Sequence, residues 1–181
     1  MNQIYQAIVF LFLIFATGEV LSAQHMGKRL TTGKASSQVG DIDAIRTEYA
    51  RINSQKLKIQ QFRYEDLPCV DEGKTTYFMQ GNEVRKIIEK FIKDDAYNVT
   101  EFYFKDGKLI FALETVVAGP AIYPETKTEY RYYVKDDKAV RQLEGKEIVA
   151  ADSKFTEALK RGYELIKART AKNFNKAICM F

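Results

Sequence analysis

The sequence predicts an α+β domain in which an antiparallel meander of about six to seven strands is covered by an N-terminal and a C-terminal helix. Three observations predict it. Apolar residues recur at helical spacing near both ends of the chain, three segments between them align as β-hairpins, and apolar residues in those segments alternate with period two.

The 181 residues open on an apolar run, Ala7–Ala16, followed by the small-residue exit Leu21-Ser22-Ala23. The run is too short to span a bilayer, so residues 1–23 are expected to be a secretory signal, although Met1–Gln6 carry no Lys or Arg. The polar, aperiodic stretch 24–40 is expected to be a flexible leader. Residues 41–181 then form a single α+β domain. Removing 23 residues from 181 leaves 158, enough chain for one hydrophobic core. The expected address is exported, periplasmic or extracellular, with no stable membrane span in the mature form.

From Asp41, a natural N-cap, Ile42, Ile45, Tyr49 and Ile52 recur at spacings of one helical turn with charged residues between them. Lys56–Tyr64 alternates Leu57 and Ile59 with Lys and Gln, which predicts a strand with a bulge near Gln61. Leu67–Gly73, around Pro68, is expected to be a loop.

The segments Thr76–Val84, Glu101–Leu109 and Arg131–Ala139 align without gaps, with Gly81-Asn82, Asp106-Gly107 and Asp136-Asp137 in register. Each pair is a two-residue hairpin turn, and Asp-Gly carries the strongest signal because a type I′ turn needs positive φ at both positions. In the middle hairpin a regular ladder sets Phe104 against Leu109 and Phe102 against Phe111. Phe102, Phe104, Leu109, Phe111 and Leu113 then share one face, with Glu101, Tyr103, Ile110 and Ala112 on the other. Glu83–Ile92 is ambiguous, because Val84, Ile87, Ile88, Phe91 and Ile92 have helical spacing while the hairpin repeat requires a strand; a strand over Glu83–Glu89 is expected. The break Val117–Thr126 carries Ile122 and Tyr123. A last helix, Asp152–Arg169, places Phe155, Leu159, Gly162 and Ile166 on one face behind an Asp152 or Ser153 cap.

Charge excludes some partners. Of 28 Lys and Arg against 24 Asp and Glu, only Glu19 lies in the signal, so the mature balance is 28 − 23 = +5. These charges are interspersed and form no basic stripe, so no nucleic-acid partner is expected. The single histidine, His25, sits in the leader, which leaves no Ser-His-Asp triad and no His metal cage. Gln38–Arg46 has one Gly where a phosphate-binding loop needs several. Paired acids such as Asp94-Asp95 and Asp136-Asp137 fall at turns, where Asp is expected for backbone reasons. No catalytic, cofactor or metal residue is therefore assigned. Asn98-Val99-Thr100 fits the glycosylation acceptor pattern of a eukaryotic secretory route.

Cys69 and Cys179 are the only cysteines. In an oxidising compartment they either pair, fastening the tail to the Pro68 loop, or remain free thiols. The candidate binding surface is aromatic: Ile122 and Tyr123 on the long loop, with Tyr103 and Tyr133 from a Tyr-rich set that includes Tyr77, Phe78, Tyr130 and Tyr132. The competing reading of those tyrosines is packing.

With the helix Ala44–Asn53, the hairpins Thr76–Val84 and Thr100–Glu114 and the late segment Arg131–Leu143 in view, the chain resembles small exported proteins of unknown function from Bacteroidetes-like bacteria. Its Tyr-Phe and Gly-x-Leu hairpin units are also similar to MORN-like repeats, with Asp137 where Gly is usual. The resemblance implies a periplasmic address and a noncatalytic role. The function expected is an exported domain that binds a protein or envelope component. The alternatives are a carrier of a small apolar ligand and, third, a carboxylate-based hydrolase.

Overall fold

Tight turns fold the chain into consecutive hairpins. Gly81 (φ 61°), Asp106 and Gly107 (51° and 72°), and Asp136 and Asp137 (50° and 60°) occupy the left-handed region that these turns require. Lys105 pairs with Lys108 and Lys135 with Lys138, so the repeat in the sequence is a repeat in space. Further turns at Asp94-Asp95 and Gly145-Lys146 add strands that the three-hairpin pattern did not contain.

The computed structural model describes residues 32–67, 69–118 and 125–179. The expected signal, residues 24–31 of the expected leader, and Ile122 and Tyr123 lie outside them. Eight strands form one antiparallel sheet in the order β1 (Lys58–Leu67), β2 (Val70–Gln80), β3 (Glu83–Lys93), β4 (Ala96–Lys105), β5 (Lys108–Ala118), β6 (Thr126–Lys135), β7 (Lys138–Glu144) and β8 (Glu147–Val149). Helix α1 (Thr32–Ser54) precedes the sheet; α2 (Ser153–Ala171) and α3 (Asn175–Ile178) follow it. The α+β meander is as expected, with more strands.

The helices do not share one face. Ile42, Ile45 and Ile52 of α1 pack with Tyr103, Phe111 and Tyr133. Phe155, Leu165 and Ala168 of α2 pack with Tyr77, Phe102, Phe104, Leu109 and Tyr132, the other side of the same strands. β3 carries apolar residues on both faces, with Ile88 and Ile92 half-buried on the side away from α2, and so loses the alternation that marks a strand with one wet face. That explains its helix-like spacing: Ile87 and Phe91 face α2, Ile88 and Ile92 the opposite side. The strand expected over Glu83–Glu89 runs on to Lys93.

The expected faces of the middle hairpin are corrected. Phe104 pairs with Leu109, but the register then shifts, so Tyr103 pairs with Phe111 and Phe102 with Ala112. Ile110 is the extra residue of a β-bulge, and one extra residue inverts every later position. Phe111 and Leu113 therefore belong to the α1 layer, and Ala112 to the α2 layer. The same shift occurs between Phe78 and Met79 and between Tyr133 and Val134, leaving Arg85 and Val140 as the extra residues. All three bulges fall three residues past a turn and face α1. Arg85 meets Glu48 of α1 there in a buried ion pair.

Four smaller expectations are also corrected. No bulge occurs near Gln61, since β1 pairs with β2 in unbroken register from Lys58–Met79 to Glu65–Glu72. Ile59 is exposed. Val70–Gly73 is strand, not loop, because β2 pairs with β1 from Val70 onward, opposite Leu67. Asp41 does not cap α1, which begins at Thr32 and so includes the later part of the expected leader. Inside a helix its carboxylate has no free backbone N–H to cap, and it pairs with Lys135 at 2.6 Å.

At the other end Asp152 does cap α2, accepting from the Lys154 N–H at 3.1 Å. Gly162 lets α2 approach the sheet closely: a Cβ there would lie 3.1 Å from the Phe102 ring. The Tyr77 hydroxyl donates to the Leu165 carbonyl at 2.7 Å, fastening the helix to β2. A disulfide joins Cys69 to Cys179, Cα to Cα 5.4 Å, so α3 is held against the β1–β2 turn. Among the described residues no helix is long and apolar enough to cross a membrane.

Candidate functional site

Cross-strand register gathers polar residues that are far apart in the chain. Thr75 pairs with Glu89, Glu89 with Thr100, Thr100 with Glu114 and Glu114 with Tyr130, one residue from each of β2 to β6. All five point toward α2, because each lies two positions from a core residue of that face. The adjacent row, Tyr77, Ile87, Phe102, Ala112 and Tyr132, is fully buried. On the row's other side stand Phe91, Asn98 and Val116.

Over this row lies the first half of α2. Lys154, Glu157, Ala158 and Arg161 sit one helical turn apart or next to one another in projection, so one helix face presents them to the sheet. Between helix and sheet is a cleft of about 230 Å³. Its floor holds Asn98, Thr100 and Glu114, its walls Phe91, Phe102 and Tyr130.

The polar groups are held in place by one another. Glu114 accepts from the Asn98 amide at 2.9 Å through one oxygen and from the Tyr132 hydroxyl at 3.3 Å through the other. The Thr100 hydroxyl donates to the Asn98 side-chain Oδ1 at 2.9 Å. Lys154 donates to the Tyr130 hydroxyl at 3.0 Å, with its ammonium 4.1 Å from the centre of that ring. The Arg161 guanidinium stands 5.5 Å from the centre of the Phe91 ring and 3.6 Å from a Glu89 oxygen. Such cation–π contacts fix the two cations at the helix face of the cleft.

Glu89 lies behind the cleft wall, with 0% of its surface exposed, and neither of its oxygens accepts a hydrogen bond. Burial pushes its carboxyl up to about 7; Arg161 opposes that rise and Glu114 adds to it. Burial, reinforced by Glu114, also raises the Tyr132 hydroxyl. At neutral pH Tyr132 is therefore a hydrogen-bond donor to Glu114.

A second cleft, about 220 Å³, lies under α1 between Ile45, Tyr49, Phe111, Leu113 and Tyr133, with Arg46 and Arg131 at its margin. Here the expected Tyr133 lines a recess, 6.0 Å from the Arg46 guanidinium. Tyr103 is wholly buried under α1, its hydroxyl bonded to Glu101 at 2.5 Å and to Asn53 at 3.3 Å. It is a packing residue and offers no surface, which corrects the expectation for it. The Tyr-rich set does not form one face: Tyr77, Tyr130 and Tyr132 point to α2, Tyr103 and Tyr133 to α1.

The turn carboxylates do not come together. In a meander Asp94, between β3 and β4, and Asp136, between β6 and β7, lie at opposite ends of the sheet. Strands of ten residues separate them by roughly 30 Å, far beyond the spacing of a glycosidase pair. Asn98 of the glycosylation pattern is 7% exposed and bonded inside the cleft, out of reach of modification. Among the described residues no three His, Cys, Asp or Glu side chains are placed to hold a metal ion.

Sequence reasoning missed Asn98, Thr100, Glu114, Lys154 and Arg161. A signal was present, since Thr100 and Glu114 interrupt apolar stripes of β4 and β5 and Arg161 interrupts the buried face of α2. Read one strand at a time, each is a single polar residue; only the register makes them a row. No protein-family model, no curated protein and no solved structure matches this chain.

Proposed function

We propose that the protein is an exported, noncatalytic binding domain whose ligand site is the cleft between α2 and the sheet. One observation carries this reading: a polar row, with Thr100 and Asn98 buried and Glu114 partly so, under a helix face that adds Lys154 and Arg161. Apolar side chains of similar volume are often at least as stable in such places, because buried polar and ionic groups lose hydration that their partners only partly restore. Retaining them is explained by a ligand that uses them. The apolar signal at residues 1–23 and the paired cysteines support export.

The test is a thermal-shift screen of the mature chain against small polar metabolites, repeated on Val116→Trp, which fills the cleft from its margin. A ligand that raises Tm of the parent chain and not of a normally folded Val116→Trp supports the site. Equal shifts in both would move binding elsewhere. The alternative, a carrier of an apolar ligand, draws on the α1 cleft, where aromatic and aliphatic walls meet Arg46 and Arg131; a shift lost in Leu113→Trp and kept in Val116→Trp would select it.

A further inference from the structure

We propose that the α2 cleft recognises a small zwitterion carrying both an ammonium and a carboxylate, of the size of a free amino acid. This rests on the reading of that cleft as the ligand site. Charge of both signs lines it, with a lone carboxylate on the sheet side and both cations on the helix side. The sheet supplies the Glu114 carboxylate; α2 supplies the Lys154 ammonium and the Arg161 guanidinium, with Glu157 beside them.

A ligand of one sign meets a like charge on one side of so narrow a space, which costs affinity. A zwitterion lying across it meets an opposite charge at each end. Its ammonium donates to Glu114, whose two oxygens each accept one protein hydrogen bond and retain further acceptor capacity. Its carboxylate faces Lys154 and Arg161. Both cations are seated on aromatic rings, and the Arg161 side chain is itself buried, so little ordering is left for the moment of binding. Phe91, Phe102 and Tyr130 remain to contact a side chain.

Volume sets the size. At about 230 Å³ the cleft falls below the range of about 300–1,000 Å³ usual for drug-sized ligands. It holds about eight waters' worth of liquid volume. That suits a ligand on the order of ten non-hydrogen atoms.

The experiment is calorimetric titration of the mature chain with each of the twenty free L-amino acids. For the best binder it is repeated with the decarboxylated amine and the deaminated acid of the same side chain. Saturable binding of at least one amino acid is expected, with Kd at least tenfold weaker for each single-charge analogue. Glu114→Gln and Lys154→Met are each expected to weaken the amino acid at least tenfold, and Lys154→Met to tighten the amine analogue, which no longer meets a like charge. An analogue that binds as tightly as its parent amino acid overturns the zwitterion while leaving the cleft a binding site. Absence of binding by all twenty also overturns it; the Val116→Trp comparison with other metabolites then decides the broader reading separately.

Discussion

Replacing Glu89 with Gln isolates one buried ionisation. The carboxyl is fully enclosed, and desolvation lifts it from an ordinary 4.5 to about 7 despite Arg161 at 3.6 Å. In the folded chain it therefore keeps its proton to about pH 7, whereas in the unfolded chain it loses it near 4.5. Between those values the folded state holds the extra proton, so stability is fully present below 4.5 and falls as pH rises through 7. Two and a half units at 1.36 kcal/mol each amount to about 3 kcal/mol of stability lost between pH 4.5 and 8. Gln, neutral throughout, removes that loss: the variant should exceed the parent by under about 1 kcal/mol at pH 5 and by about 3 kcal/mol at pH 8. Few other side chains titrate in this window, because the chain has a single histidine. Urea unfolding at pH 5, 6, 7 and 8 reads the difference as a gap in midpoint of roughly 1–3 M, taking m at about 1–3 kcal/mol/M. If the two proteins keep the same pH dependence, Glu89 ionises as freely folded as unfolded, and the account of its burial is wrong.

Four further outcomes are expected. Cys69→Ser combined with Cys179→Ser removes a link across 110 positions, and the chain-entropy account puts the loss at about 4–5 kcal/mol; urea midpoints that do not move would show that the link constrains nothing in the unfolded chain. Gly162→Ala should be close to neutral, the gain of about 1 kcal/mol in helix propensity offsetting the 3.1 Å approach to Phe102, while Gly162→Val should destabilise by about 1–3 kcal/mol; a Val variant as stable as Ala would mean that Phe102 yields freely. Arg85→Ala leaves Glu48 with Arg51 as its remaining cation and should cost about 1–3 kcal/mol in thermal or chemical unfolding, against under 1 kcal/mol for Arg46→Ala at an exposed pair; equal losses would mean that the burial of Arg85 adds nothing. In acid the sign reverses: Asp137, bonded by Tyr163 and Lys108, and Asp152, bonded by Gln142, both titrate below the usual range. Stability held by them is lost as pH falls through their folded values, and Asp137→Asn should blunt that loss in acid titrations followed by circular dichroism.

The sequence by itself determined whatever is local. Positive-φ pairs at Asp106-Gly107 and Asp136-Asp137 admit little but a tight hairpin, and the Ile42, Ile45, Tyr49 and Ile52 stripe admits one buried helix face. It therefore determined the α+β class, the central hairpins and both long helices, and it named the two cysteines that are joined. Tertiary structure decided the rest. Which face Phe111 takes turns on Ile110, one unpaired residue whose bulge no period-two count contains. The placement of α1 and α2 on opposite faces decides that Tyr103, Phe111 and Tyr133 enter one core layer and Phe102, Ala112 and Tyr132 the other. The cleft is the fullest case. Thr75, Glu89, Thr100, Glu114 and Tyr130 come from five strands, and Lys154 and Arg161 from a helix that follows them all. They are neighbours because antiparallel pairing converts sequence separation into lateral adjacency, and the bulges decide which side of the sheet each strand's residues reach.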